Sequence, residues 1–550
     1  MTIKRTRLKS TLPRTVTIGQ PQPKPALPGG ASEADRRTRP APTTKPPLPE
    51  SVVRARAATR TVATKRRIRR RVTPLEVLQQ PIQAGVRKVF DWRRMLAVLG
   101  LTALVLLLPT PPGLSLAGHR ALALFVFTGA ILALEPAPLP IAALLVPVAQ
   151  IALGIAQVGT AFAPFGNKVL FLILGSLFLA EALRKHGLTR RMALYAIVRS
   201  QGDFTKLLLG LILMTGALSM FVLNTATAAV LIPVAITIAQ QVKQSEENRK
   251  ALKVLILAIG YSASIGAMAT IMGSGENAIA SGTLSQLQPF GFLDWMRYGL
   301  PLVALLLPVT WFILPRVFRL PRLSIDTEPA QRELERLGRL NGPQRETVAV
   351  LVGAVFLWIS GSSLEKMLHL PPTLLSSTVV AIGAVALLSL EEVVNWNDLR
   401  GVNWGVFFVI GAGLTLGNAL TTTGAGEWFA QMVAPILQGL PYAVVLTLLV
   451  LLAFTLTQFM NNVTLGSILA PILVTVAQAS GLDPVRILLP TIMTLALAFA
   501  TPGASARMTL VAVTGAVTPK DMARGGFLVG LPGAALIWIF FYAMSSLGWI

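Results

Sequence analysis

Two short polar clusters interrupt stretches that are otherwise apolar and free of charge: Leu223-Asn224-Thr225-Ala226-Thr227 and Asn461-Asn462-Val463-Thr464. Each is followed by a proline at the same distance, Pro233 nine residues after Asn224 and Pro471 nine after Asn462. A cluster of this kind splits a helix into two halves, leaving backbone N–H groups unpaired and a positive dipole end turned toward the gap. An anion fits there. Asn amides and Thr hydroxyls add donors without fixed charge, so a dianion can bind and still be released. Carbonyls of the unwound turn can take a small cation such as sodium at the same time. Asn and Thr also simply end helices, but two clusters at matched spacing favour a pair of half-sites. Asn224, Thr225, Thr227, Asn461, Asn462 and Thr464 are the substrate-binding candidates.

Downstream of each cluster, a second apolar stretch is interrupted at Gly266-Ala267-Met268-Ala269-Thr270-Ile271-Met272-Gly273-Ser274-Gly275-Glu276-Asn277 and at Ala500-Thr501-Pro502-Gly503-Ala504-Ser505-Ala506-Arg507. Gly and Pro prevent regular helix, and irregular backbone at membrane depth must line protein or a water-filled cavity. Glu276 is an ionisable group at that depth, and so a candidate to carry a proton or to help hold a cation. Arg507, on the opposing stretch, is a candidate to pair with Glu276 or to neutralise a substrate carboxylate.

The elements that position these residues follow from composition. Of 550 residues 53% are hydrophobic and 13% charged, with mean hydropathy +0.64, too apolar for a water-facing surface. Backbone groups in hydrocarbon must pair within the segment, so apolar stretches of roughly 20 residues cross as helices. The expected fold is an all-α polytopic membrane protein. It has about eleven transmembrane helices plus two re-entrant hairpins, at 204–241 and 440–479, and broken helices at 252–282 and 486–517. There is no cysteine, which excludes disulfides, thiolate metal sites and cysteine nucleophiles. His119, His186 and His369 lie far apart and read as interfacial residues. No zinc motif, nucleophile elbow with a base or phosphate-binding glycine loop appears, so an enzyme is not expected.

Residues 1 to 94 hold 23 Lys and Arg against 5 Asp and Glu, a net +18 of the chain's +25. This segment reads as a disordered basic tail, either meeting anionic lipid headgroups or nucleic acid, or simply a solvated arm that keeps the N-terminus in the cytoplasm. The second reading is favoured; an acid-poor, Arg-rich leader also resembles an organelle transit peptide. Basic loop residues such as Arg184, Lys243, Arg322, Arg400 and Lys520 fall on the same side as the tail when the hairpins are re-entrant. The N-terminus is then cytoplasmic and the C-terminus outside.

The membrane part repeats itself. Leu170-Phe171-Leu172-Ile173-Leu174-Gly175, Gly187, a hairpin and a broken helix are followed, 236 to 237 residues on, by Val406-Phe407-Phe408-Val409-Ile410-Gly411, Gly424 and the same series. An odd number of crossings separates the units, so they are expected in opposite orientation, the arrangement behind alternating access.

Residues 95 to 550 resemble the divalent anion/sodium symporter family of the ion transporter superfamily, carriers of di- and tricarboxylates and sulfate. That family has Ser-Asn-Thr at both hairpin tips and a Thr-Pro-Pro-Asn-like turn in both broken helices. Leu223-Asn224-Thr225 and Asn461-Asn462-Val463 stand at the tips, Gly273-Ser274-Gly275-Glu276-Asn277 at the first turn, and Ala500-Thr501-Pro502 with Gly503-Ala504 at the second. The resemblance implies a tail at 1–94, scaffold helices at 95–165 and 346–402, a linker at 321–345 and inverted repeats at 166–320 and 403–550. It also implies a homodimer formed through the scaffold and an elevator movement of the hairpin-bearing domain. One sodium site is implied between Asn224 and the Gly273, Ser274, Glu276, Asn277 turn, another between Asn462 and the Ala500, Thr501, Gly503 turn. The expected function is a secondary transporter for a small anion, coupled to sodium, with no other cofactor, in a bacterial plasma membrane. Alternatives are a proton-coupled carrier or sodium/proton antiporter using Glu276, and less favourably a channel.

Overall fold

The computed structural model describes residues 90–242 and 247–550. Nearly all of the basic tail lies outside those residues. The described chain is helical, its only β pairing being two isolated bridges, Asp203 with Ser324 and Val242 with Ile325.

Each half runs through the same five elements. Lys168–Lys185 leads the first half and Trp404–Thr422 the second. Short helices follow, Leu188–Arg199 and Ala425–Gln438, entered through Gly187 (φ 67°) and Gly424 (φ 73°). That left-handed backbone is one glycine adopts without strain. Then come the hairpins, Phe204–Phe221 with Asn224–Gln240 and Tyr442–Thr457 with Asn462–Ala479, within two residues of the expected bounds. In each second arm the proline carbonyl is met by a hydroxyl one turn on, Thr237 to Pro233 and Thr475 to Pro471.

The broken helices are Asn248–Ala267 with Gly275–Leu284, and Pro484–Leu495 with Ala506–Val513, each pair joined through a single 3₁₀ turn. Long helices close the halves, Phe292–Val317 and Pro519–Ser546.

Eight helices among the described residues are long and apolar enough to cross a membrane, or nine if the bent pair Val158–Gly166 and Lys168–Lys185 is one span. These eight are not a subset of the eleven apolar stretches of the sequence: they include Phe204–Phe221 and Asn462–Ala479, arms of the hairpins expected to be re-entrant, and Asn248–Ala267, the first part of a broken helix. Three of the expected crossings form helices of only 16, 14 and 14 residues, Trp92–Leu107, Leu139–Ala152 and Ser377–Leu390. The linker holds a helix of its own, Glu328–Leu337, whose terminal carbonyls at Leu337 and Gly338 accept from the buried Arg191 guanidinium. At the start of the second half, Lys185 binds Asp398 at 2.7 Å and holds its carboxyl below the usual carboxylate range.

Small residues bring the backbones of the first repeat together. A Cβ at Gly266 would stand 2.2 Å from the Gly216 carbonyl oxygen, and one at Gly299 would stand 2.3 Å from that of Met268. The same Met268 carbonyl accepts from the Trp295 indole at 2.9 Å, so the end of Asn248–Ala267 is fixed against the closing helix. One apolar cluster runs through both repeats; a second joins residues from Met95 to Val146 with Val409 to Ala425.

Candidate functional site

Each hairpin tip is bound to the break of its own repeat by equivalent hydrogen bonds. The Thr270 hydroxyl donates to the Met220 carbonyl, and the Thr501 hydroxyl donates to the Gln458 carbonyl at 2.5 Å. One residue earlier on each hairpin, Ser219 donates to the Ala263 carbonyl (2.6 Å) and Thr457 to that of Leu495 (2.7 Å). Met220 and Gln458 are separated by the same 238 positions as Asn224 and Asn462.

The breaks themselves correspond residue for residue. Thr270 (φ −137°, ψ 163°) and Ser274 (φ −153°, ψ 156°) bracket the first 3₁₀ turn; Thr501 (φ −127°, ψ 153°) and Ser505 (φ −162°, ψ 157°) bracket the second. The separation is 231 positions, which makes Glu276 the counterpart of Arg507, each the second residue of its resumed helix. Opposite charges thus occupy one place in the two repeats.

Both side chains are fully buried, and they hydrogen-bond different partners. Glu276 reaches the other repeat, where its Oε1 accepts from the Asn462 amide at 2.6 Å, on the first turn of Asn462–Ala479. A carboxylate is stabilised at the positive end of a helix. Arg507 instead donates to the carbonyls of Ala496 and Ala498, both at 3.1 Å, at the negative end of Pro484–Leu495. Glu276 and Arg507 make no direct hydrogen bond or ion pair among the described residues, but their opposite charges interact through space, and each also meets a helix terminus.

The remaining candidates divide. Asn277 donates its amide hydrogens to Ala267 and Thr270 carbonyls (2.8 and 2.9 Å), which fixes which way its Oδ1 points. Ser274 stands at the N-cap position of the resumed helix, buried and without a side-chain cap bond, and Gly273 is packed so that a Cβ would meet Ala267 backbone at 2.4 Å. Asn224, buried, begins the second arm of its hairpin and accepts from the Thr225 hydroxyl. Asn461 caps its helix by accepting from Val463 N–H at 2.9 Å, the plain helix-ending role. Thr464 is buried and its hydroxyl has no partner among the described residues. Gly503 stands in open space. Beside the first tip a cavity of about 680 Å³ is lined by Thr225, Thr227, Thr189, Asn403 and Thr509, with Arg184 already bound to Glu181.

Sequence reasoning missed Gln458. Its Nε2 donates to Phe454 and Leu497 carbonyls (2.9 and 3.0 Å), and its Oε1 accepts from Phe499 and Ala500 N–H (3.2 and 3.0 Å). Ala500 therefore meets the second hairpin through its own backbone. A glutamine four residues before Asn462, in an arm otherwise without charge, was the available signal. Gln458→Leu would strand the Phe499 and Ala500 donors and the Leu497 acceptor, at roughly 1–3 kcal/mol each. The expected result is a fall of about 3 kcal/mol or more in stability, read as a lower thermal midpoint in detergent. Gln458→Glu, which keeps the acceptor, should recover part of it; an unchanged midpoint for the leucine variant would remove the role.

The family described as the sodium:sulfate symporter transmembrane region matches residues 90–549. The chain belongs to that family. Sodium:sulfate symporters are transporters, and the helices described above are those of an integral membrane protein. The sodium-dependent dicarboxylate transporter SdcS of Staphylococcus saprophyticus is 28% identical over 463 residues, 80% of this chain and 89% of the relative. SdcS of Staphylococcus aureus is 28% identical over 400 residues, 69% and 76% of the two chains. Among solved structures, the Alcanivorax borkumensis YdaH transporter covers 78% of this chain and 99% of its own, with a TM-score of 0.50 at 16% identity, a likeness of fold alone. Membership of the divalent anion/sodium symporters, expected from the tips and turns, is thus established.

Proposed function

We propose that this symporter-family chain carries a small dianion, a dicarboxylate before a tricarboxylate or sulfate, across the membrane together with sodium. The observation that carries the reading is that the first break holds both hairpins, Thr270 to the Met220 carbonyl and Glu276 to the Asn462 amide. Two half-sites built by opposed repeats are thereby joined across one centre, as alternating access requires. The names of the two SdcS relatives support dicarboxylate and sodium. In this reading the hairpins and broken helices of 166–320 and 403–550 travel as an elevator against scaffold helices at 95–165 and 346–402, in a homodimer. The N-terminus is cytoplasmic. Uptake of labelled succinate, citrate and sulfate into proteoliposomes, with sodium and pH gradients imposed separately, tests it. Saturable succinate uptake driven by sodium is expected; a steady ion current without saturable flux would replace the carrier by a channel.

A second reading, proton coupling or sodium/proton exchange, is favoured by one observation: Glu276 is fully buried with an amide as its hydrogen-bonding neighbour across the repeats. Of the helices packed on Gly275–Leu284, Trp404–Thr422 and Asn462–Ala479 contain no titratable residue; Lys168–Lys185 carries Lys168, Glu181, Arg184 and Lys185 near its ends, Pro484–Leu495 carries Arg486, and the charge of Arg507, on Ala506–Val513, acts on Glu276 through space. If Glu276 is the proton carrier, Glu276→Gln flattens the pH profile of uptake. An unchanged profile removes this reading and leaves sodium.

A further inference from the structure

The two breaks carry opposite surpluses of hydrogen-bonding capacity. At the first, acceptors are left over: Glu276 Oε2 and Asn277 Oδ1 have no hydrogen-bond partner among the described residues, and both side chains are fully buried. Both Asn277 N–H groups are used on carbonyls, which leaves Oδ1 as its free atom. The Thr464 hydroxyl, two residues beyond Asn462, is also unpartnered, and Ser274 lies beside the Glu276 carboxylate. At the second break, donors are left over: Arg507 Nε and Nη1 are unpartnered and fully buried.

Four carbonyls at the second break and its hairpin tip are meanwhile occupied. Ala496 accepts from Arg507 and from the Ser264 hydroxyl, Ala498 from Arg507, Leu497 from Gln458 and Gln458 from Thr501. A sodium ion in a broken helix needs such oxygens, and here a tethered guanidinium holds two of them. A carboxylate out of water needs compensating positive charge; Arg507 supplies part of it through space without direct contact, and the first break offers oxygens with which to hold a cation as well.

We propose that the coupling cation is a single sodium ion at the first break, on Glu276 and Asn277, and that Arg507 permanently takes the equivalent place at the second. The repeats, alike in backbone, are thus divided in chemistry: one binds the travelling cation, the other carries its own.

This inference rests on the sodium-coupled reading above, and its test separates the two. The full chain in proteoliposomes is given a succinate gradient, and initial uptake is measured against sodium, with choline as replacement. Sodium activation is expected to be hyperbolic, with a Hill coefficient of about 1, since the coefficient cannot exceed the number of sites. Glu276→Gln should raise half-saturating sodium by about tenfold or more, equivalent to about 1.4 kcal/mol of binding. Arg507→Gln, where it folds, should turn the curve sigmoidal as a second ion enters; Arg507→Lys should keep it hyperbolic. A wild-type coefficient near 2, or an unchanged sodium requirement in Glu276→Gln, overturns the division while leaving the carrier intact. Absence of any sodium response removes both.

Discussion

Asn462→Leu is expected to cut sodium-driven anion uptake by about a hundredfold or more, while its neighbour Asn461→Ala costs little. The Asn462 amide is the donor that meets Glu276 across the two repeats, at 2.6 Å and away from water. A hydrogen bond to a charged group contributes roughly 1.5–3 kcal/mol, and leaving the carboxylate without that partner adds its desolvation. At 1.4 kcal/mol per tenfold the loss reaches two orders of magnitude. Asn461 instead satisfies one backbone donor at its own helix end, a contribution of about 1 kcal/mol to local stability. Initial rates of labelled succinate uptake, normalised to reconstituted folded protein, decide the matter. If the alanine variant at 461 is as damaged as the leucine variant at 462, the cross-repeat bond is not what matters.

That contrast marks the boundary of what the sequence carries. The hairpins were legible because a polar tip inside an apolar run, with a proline nine residues later, has few physical meanings, and two copies have fewer. The breaks were legible from Gly and Pro, which cannot continue a helix at depth. Their alignment was not. Gly273-Ser274-Gly275-Glu276-Asn277 and Ala504-Ser505-Ala506-Arg507-Met508 share one serine, and only the matched backbone angles and the Thr270 and Thr501 bonds set Glu276 against Arg507.

Nor does spacing tell which way a buried charge will turn. Glu276 and Arg507 are both buried, yet their hydrogen-bond partners are decided by helix termini brought close only by folding, one of them 186 residues away. The short helices Leu188–Arg199 and Ala425–Gln438 escaped notice because neither is long enough to cross, although the glycines that open them had been picked out as repeat markers.

Gly266→Val is expected to be the most damaging single substitution for the fold, and Gly503→Ala among the least. At Gly266 the added Cβ would sit 2.2 Å from the Gly216 carbonyl oxygen and 2.5 Å from its Cα, distances at which something must move. Both obstacles are backbone, so no side chain can swing aside, and Asn248–Ala267 must part from Phe204–Phe221. Parting them pulls Thr270 from the Met220 carbonyl and Ser219 from Ala263, the bonds that seat the first tip on its break. Overpacking against yielding side chains costs roughly 1–3 kcal/mol; with rigid backbone and two buried bonds lost, a cost above about 4 kcal/mol is expected. At an unfolding entropy of about 2.1 cal/mol/K per residue, a chain this size loses about 1 °C per kcal/mol, so the thermal midpoint in detergent should fall by about 4 °C or more, or no folded protein should be recovered. At Gly503 nothing lies within 4 Å of the added methyl, and a change within about 0.5 kcal/mol follows. Equal midpoints for the two variants would mean that the close approach of the first hairpin to its broken helix does not hold the site together.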